Sequence, residues 1–80
     1  MSYYKAQFSV IRKTAKYPLY MKHFENLPVS DAYFDWKKES DEVCSFFITS
    51  DTIDAFNDAL EWIESTTGLE PHKIQWVEEK

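Results

Sequence analysis

Residues 51–68 read DTIDAFNDALEWIESTTG and predict one long amphipathic helix over 51–67. Apolar side chains at helical spacing form one stripe that would face a core: Ile53, Phe56, Ala59, Leu60 and Ile63. Acidic side chains fall on the opposite side: Asp51, Asp54, Asp58, Glu61 and Glu64. At about 100° per residue, Trp62 falls outside the apolar stripe and projects beside Asp58, among the carboxylates.

Both ends of this helix carry recognisable signals. Ser50 or Asp51 is predicted to cap the N-terminus, where a side-chain oxygen can accept from unpaired backbone N–H groups. Gly68 follows Thr66 and Thr67 and can adopt the left-handed conformation that ends a helix.

Alternation of apolar and polar residues predicts four strands. The first covers residues 3–13, with one side made of Tyr4, Ala6, Phe8 and Val10. The second carries Ala32, Phe34 and Trp36 on its inner side, and the polar run KKESDE separates it from the third, which carries Cys44, Phe46 and Ile48. After Pro71, the run HKIQWVE predicts a fourth strand with Ile74 and Trp76 facing inward.

The segment between the first two strands allows two interpretations. Its larger side chains follow the spacing i, i+3, i+4, i+7, i+10: Tyr17, Tyr20, Met21, Phe24 and Leu27. With Pro18 at the first helical position, this spacing predicts a short helix over 18–26 that ends before Pro28. Pro18 is also compatible with an edge strand over 17–24.

The resulting element order is β-α-β-β-α-β in a single α+β domain spanning residues 1–80. This order predicts a ferredoxin-like, four-stranded antiparallel sheet with both helices on one face. The alternative omits the first helix and gives a β-β-β-α-β sheet backed by helix 51–67.

Composition restricts the class of protein. Apolar residues make up 44% and aromatic residues 18% of the 80 positions, which is enough for one small core. Cys44 is the only cysteine, so an intramolecular disulfide is excluded, and no apolar run approaches membrane-spanning length. We therefore expect a cytoplasmic protein that does not contact a membrane.

Charge is distributed unevenly along the chain. Residues 1–23 hold five basic residues and no acid, whereas residues 24–80 hold all 14 acids against four lysines, and the net charge is -5. An acidic protein repels phosphate and attracts basic proteins. This balance disfavours direct binding of nucleic acid and favours a larger, basic protein partner.

Signatures of enzymes and of cofactor sites are missing from the sequence. A phosphate-binding loop needs several glycines, and Gly68 stands alone at a helix end. His23, His72 and Cys44 have no metal-ligand spacing, and Cys44 is interpreted as a small buried hydrophobe in its strand. We accordingly expect no catalytic residues, no metal site and no cofactor.

The leading functional hypothesis is a protein-interaction domain that binds and modulates a larger basic protein through helix 51–67. Rows of carboxylates on a rigid helix can imitate the charge spacing of a nucleic-acid backbone, so inhibition of a nucleic-acid-handling enzyme is its sharpest form. Small acidic inhibitors from phages and mobile elements have this general character. The predicted binding residues are the acids for steering and Trp62 as anchor: Asp54, Asp58, Glu61, Trp62 and Glu64.

The open face of the sheet supports the alternatives. Single strands of nucleic acid stack on aromatic side chains of such faces, and the candidate residues here are Tyr3, Lys5, Tyr33 and Phe47. The third strand, EVCSFFIT, lacks the glycines and basic residues of RNA-recognition modules. A homodimer that pairs two sheet faces is a further alternative, with an apolar centre formed by Tyr33, Val43, Phe47 and Val77.

Overall fold

The computed structural model describes residues 2–78. Its elements follow the order β1 (Ser2–Ile11), α1 (Tyr17–Glu25), β2 (Ala32–Lys38), β3 (Val43–Ser50), α2 (Ile53–Thr67) and β4 (Lys73–Glu78). The strands form one four-stranded sheet in the order β2-β3-β1-β4, and every neighbouring pair is antiparallel. The predicted ferredoxin-like fold is confirmed.

The segment before β2 is a helix, as its spacing predicts. Pro18 occupies its first turn, and Asn26 ends it by donating from Nδ2 to the carbonyl of Lys22 at 2.7 Å. Both alternatives, the edge strand over 17–24 and the β-β-β-α-β sheet, are wrong. Phe24 is the reason that the helix is stable here, because it buries its whole ring against Phe8 and Phe46.

The core lies between the helices and one face of the sheet. Strand residues of even number face the helices, as predicted, and Phe8, Phe24, Phe34 and Phe46 form an aromatic cluster with ring centroids 4.9–5.4 Å apart. Edge-to-face and tilted ring pairs of this kind add to the burial of large apolar area. Cys44 is fully buried in this core, which confirms its interpretation as a small hydrophobe.

The buried stripe of α2 differs from the predicted one. Its buried members are Ala55, Phe56, Ala59 and Ile63, while Ile53 is 46% exposed. Ile53 is the first residue of α2, where no preceding turn of helix flanks it, and the prediction of Ile53 as a core residue is wrong.

The N-cap of α2 also differs from prediction. Thr52 caps the helix by accepting from the N–H of Ala55 at 3.4 Å. Ser50 instead accepts from the N–H of Thr52 and donates to the carbonyl of Asp31, which ties the loop before β2 to the end of β3. Neither Ser50 nor Asp51 is the cap. Gly68 ends the helix with φ +75°, as predicted.

Candidate partner-binding site

The acidic face of α2 consists of four exposed carboxylates: Asp54, Asp58, Glu61 and Glu64. They lie on three successive turns, so at 1.5 Å per residue the row extends for about 15 Å along the helix. A rigid helix therefore holds them at regular spacing on the side of α2 that faces away from the core.

These four carboxylates have no cationic neighbour within bonding distance among residues 2–78. The ion pairs in that part of the chain join Lys13 to Glu42 at 3.8 Å and Lys38 to Asp41 at 3.3 Å. Both pairs therefore neutralise acids of the turn between β2 and β3, at residues 39–42. Two of the three turn acids therefore have a cationic partner, and the four carboxylates of α2 have none among residues 2–78.

The row of carboxylates also opposes the stability of its own helix. Asp58, Glu61 and Glu64 follow one another at three-residue spacing, where like charges repel by about 0.2–0.5 kcal/mol per pair. Glu64 lies in the last turn, near the negative end of the helix dipole, and that turn contains no basic residue. These unfavourable charges have no ion-pair partner among residues 2–78.

Trp62 does not stand among the carboxylates as an isolated exposed side chain. It is partly buried and packs against the core, and its indole meets the ring of His23 edge-on with centroids 6.1 Å apart. Trp62 thus lies outside the buried stripe of α2, as predicted, but its indole is partly covered rather than free among the carboxylates. The helical angle was correct, but α1 lies on that flank of α2 and covers part of the indole.

The four residues of the alternative site do come together on the open face of the sheet. Tyr3, Lys5, Tyr33 and Phe47 line one broad depression of about 810 Å³. The Lys5 ammonium lies over the Phe47 ring, 4.4 Å from its centroid. Such a cation–π contact holds both side chains in place.

Register explains this convergence and adds one residue that the sequence analysis missed. Thr49 lies between Lys5 of β1 and Tyr33 of β2, so all three form one row across the sheet. The alternation of β3 continues to Thr49, and that signal was sufficient to find it. Charged side chains in the depression have both signs, since Lys5 and Lys37 are accompanied by Asp35, Glu39 and Asp51. The depression is therefore not a cationic groove.

The apolar residues predicted for a sheet-to-sheet dimer are spread along the face. Val77 pairs with Tyr3 at one end of β1, and Val43 pairs with Ile11 at the other end. Eight residues of strand separate these positions, which corresponds to about 27 Å. Phe47 lies between them, beside Gln7 and Asp35.

Cys44 is fully buried, and its thiol lies near Tyr17. Burial raises the pKa of Tyr17, the Cys44 thiol adds to the rise, and Arg12 opposes it. Within residues 2–78, no three His, Cys, Asp or Glu side chains are grouped as metal ligands.

Comparisons with known proteins support the fold. No family model and no curated protein sequence matches this chain. Among solved structures, the de novo designed protein Foldit4 is 13% identical with a TM-score of 0.58, and the match covers 99% of this chain and 98% of that one. The leucine response regulatory protein LrpA of Mycobacterium tuberculosis is 16% identical with a TM-score of 0.49, over 99% of this chain and 51% of that one. Among residues 2–78, no helix has the length and apolar character needed to cross a membrane. The likeness to Foldit4 concerns the fold alone.

Proposed function

We propose that this chain is a non-catalytic interaction domain that binds and modulates a larger, basic protein through the acidic face of α2. The observation that carries the proposal is the row of four carboxylates without ion pairs among residues 2–78, of which Asp58, Glu61 and Glu64 repel one another along the helix. A basic groove on a partner would supply the missing cations, and complementary charge raises the rate of encounter and sets the register of the complex.

The sharpest form of the proposal is inhibition of a cytoplasmic, nucleic-acid-handling enzyme. Such an enzyme presents a basic groove for a phosphate backbone, and a straight row of carboxylates can occupy that groove instead. The exposed part of Trp62, one turn from Asp58, would give the complex an apolar contact beside the charged one.

Two variants with the same change in net charge test this proposal. One neutralises the helix, as Asp58→Asn, Glu61→Gln and Glu64→Gln together. The matched control neutralises the acidic turn, as Glu39→Gln, Asp41→Asn and Glu42→Gln. The tagged domain is used to capture proteins from nuclease-treated lysate, and the captured protein is purified and titrated with both variants by calorimetry.

We expect the helix variant to weaken binding at least tenfold and the turn variant to change it much less. We also expect binding of the unmodified domain to weaken with salt, because exposed charges are screened. Equal effects of the two variants would show that only net charge matters and would refute the acidic face as the site.

A second candidate function is binding of single-stranded nucleic acid on the open sheet face. The depression that contains Tyr3, Lys5, Tyr33 and Phe47 favours it. Its test is titration with a short single-stranded oligonucleotide, followed by amide chemical shifts of β1 and β3. Shifts that disappear in Phe47→Ala would support this function, and unchanged shifts in the unmodified chain would exclude it.

A further inference from the structure

Edge strand β4 carries two large apolar side chains that the fold leaves uncovered. Ile74 and Trp76 lie on the helix side of the sheet, as predicted, but they are 56% and 48% exposed. Trp76 packs against Tyr4, with ring centroids 4.5 Å apart, and Tyr4 stacks on Phe56 of α2. The prediction that Ile74 and Trp76 face the helix side of the sheet is therefore correct. The prediction that they are buried is wrong, because no element covers the outer side of β4 among residues 2–78.

The two edges of the sheet differ in their free backbone groups. On β2, the backbone N–H of Trp36 donates to the carboxylate of Asp35 at 2.8 Å, so a side chain of the strand itself occupies this donor. On β4, no side chain of residues 2–78 forms a hydrogen bond with the backbone. An edge with a blocked donor resists pairing with another strand, and an edge with open donors and acceptors accepts it.

We propose that β4 pairs with β4 of a second copy of this chain, antiparallel, around a two-fold axis that passes through Gln75 and is normal to the sheet. This arrangement joins two sheets into one of eight strands and keeps all four helices on the same side. It is a closed, isologous contact, so it ends at the dimer. The proposal is independent of the acidic face of α2.

The sequence of β4 is complementary to itself in this register. Ile74 of each copy lies directly opposite Trp76 of the other, which gives two apolar cross-strand pairs on the helix side.

Neighbouring registers lose these pairs. A two-fold axis through Ile74 would place Trp76 opposite His72, and an axis through Trp76 would place Ile74 opposite Glu78. A shift of the pairing by a single residue would turn one sheet over relative to the other. Ile74 and Trp76 would then lie on the open face of the other copy's sheet. Gln75 is therefore the centre that places each Ile74 opposite a Trp76 of the other copy.

Charge and size determine the strength of the contact. Lys73 and Glu78 leave β4 itself neutral, whereas each whole chain carries a net charge of -5, so the copies repel at long range. We therefore expect salt to strengthen the dimer, the opposite of its effect on a basic partner at α2. Pairing of two short strands buries little area, so a reversible, weak dimer is expected.

Cross-linking through an introduced cysteine tests the register. The native Cys44 is fully buried, so the thiol of Gln75→Cys would be the accessible one. Residues that pair with themselves lie about 4.5–5.5 Å apart at Cα, within reach of a disulfide. In Lys73→Cys the two positions are offset by four residues, or about 14 Å, which is too far. Lys37→Cys, on exposed β2, controls for random collision.

We expect mild oxidation to give a covalent dimer of Gln75→Cys at least tenfold faster than of Lys73→Cys or Lys37→Cys. Equal rates, or faster cross-linking of Lys37→Cys, would overturn the proposal.

Sedimentation equilibrium on the unmodified chain tests the contact without cross-links. Ile74→Lys should weaken the dimer about tenfold or more, because both apolar pairs are lost and two charges are added. Leu19→Lys is the matched control, since Leu19 is 52% exposed on α1. A chain that stays monomeric up to about 1 mM, where the association free energy would be only about -4 kcal/mol, would overturn the proposal and leave β4 for a strand from another protein.

Discussion

The indole of Trp62 lies edge-on to the imidazole of His23, and the two ring centroids are 6.1 Å apart. This contact joins α2 to α1 on the side of the sheet that holds the core. Asp58 lies one helical turn before Trp62, so the acidic face of α2 borders the contact between the two helices. The same tryptophan thus supports the helix layer and borders the proposed binding surface.

Trp62→Ala is expected to lower the free energy of unfolding by about 2 kcal/mol, since a partly buried indole loses its contacts with α1 and the core. Urea denaturation measures this change. Trp36→Ala is the control, because Trp36 is 50% exposed on edge strand β2 and should cost less. A Trp62→Ala chain as stable as the unmodified one would contradict the packing of Trp62 between the helices.

Removing one charge from each end of α2 should change stability in opposite directions. Glu64→Gln removes an acid from the C-terminal turn and is expected to stabilise the chain by about 0.3–1 kcal/mol. Asp54→Asn removes an acid from the first turn and should destabilise it by a similar amount. Thermal unfolding at low salt measures the stability change of each variant. A change of the same sign in both variants would refute the effect of the helix dipole.

Thr52→Ala is expected to cost about 1 kcal/mol, because the N–H of Ala55 loses the side-chain oxygen that caps it. Thr66→Ala, an exposed substitution inside the last turn of α2, should be neutral or slightly stabilising. Chemical denaturation of the two variants side by side measures the difference. A larger loss in Thr66→Ala would show that Thr52 is not the cap.

The Cys44 thiol should react with a thiol reagent only when the chain unfolds. Cys44 is fully buried beneath the helices, so the folded chain offers the reagent no access. The labelling rate in native buffer should therefore be independent of reagent concentration once the reagent outpaces refolding. Rapid labelling that is proportional to reagent concentration would contradict the burial of Cys44.

Much of the fold could be predicted because two periodicities and a few terminal residues specify the elements. Alternation assigned the buried side of each strand, and the spacing from Tyr17 to Phe24 identified α1. Gly68 ended α2 where expected. These signals are local, so one sequence is sufficient to read them.

The wrong predictions concern which side chains a neighbouring element covers, and this depends on how the helices and strands pack together. Ile53 has the correct helical spacing but lies at the start of α2, and Trp76 has the correct alternation but lies on an edge strand. Helical geometry gave the direction of Trp62, but not the position of α1 on that flank. On the open face, register brought Tyr3, Lys5, Tyr33 and Phe47 together, and alternation alone gave only the face on which they lie.

Measuring the affinity of the captured partner for two charge-matched variants tests whether the acidic face of α2 is the binding surface. The helix variant carries Asp58→Asn, Glu61→Gln and Glu64→Gln, and the turn variant carries the corresponding changes at residues 39–42. We expect at least a tenfold loss of affinity for the helix variant and a small change for the turn variant. Equal affinities for the two variants would contradict the assignment of the acidic face of α2 as the binding surface.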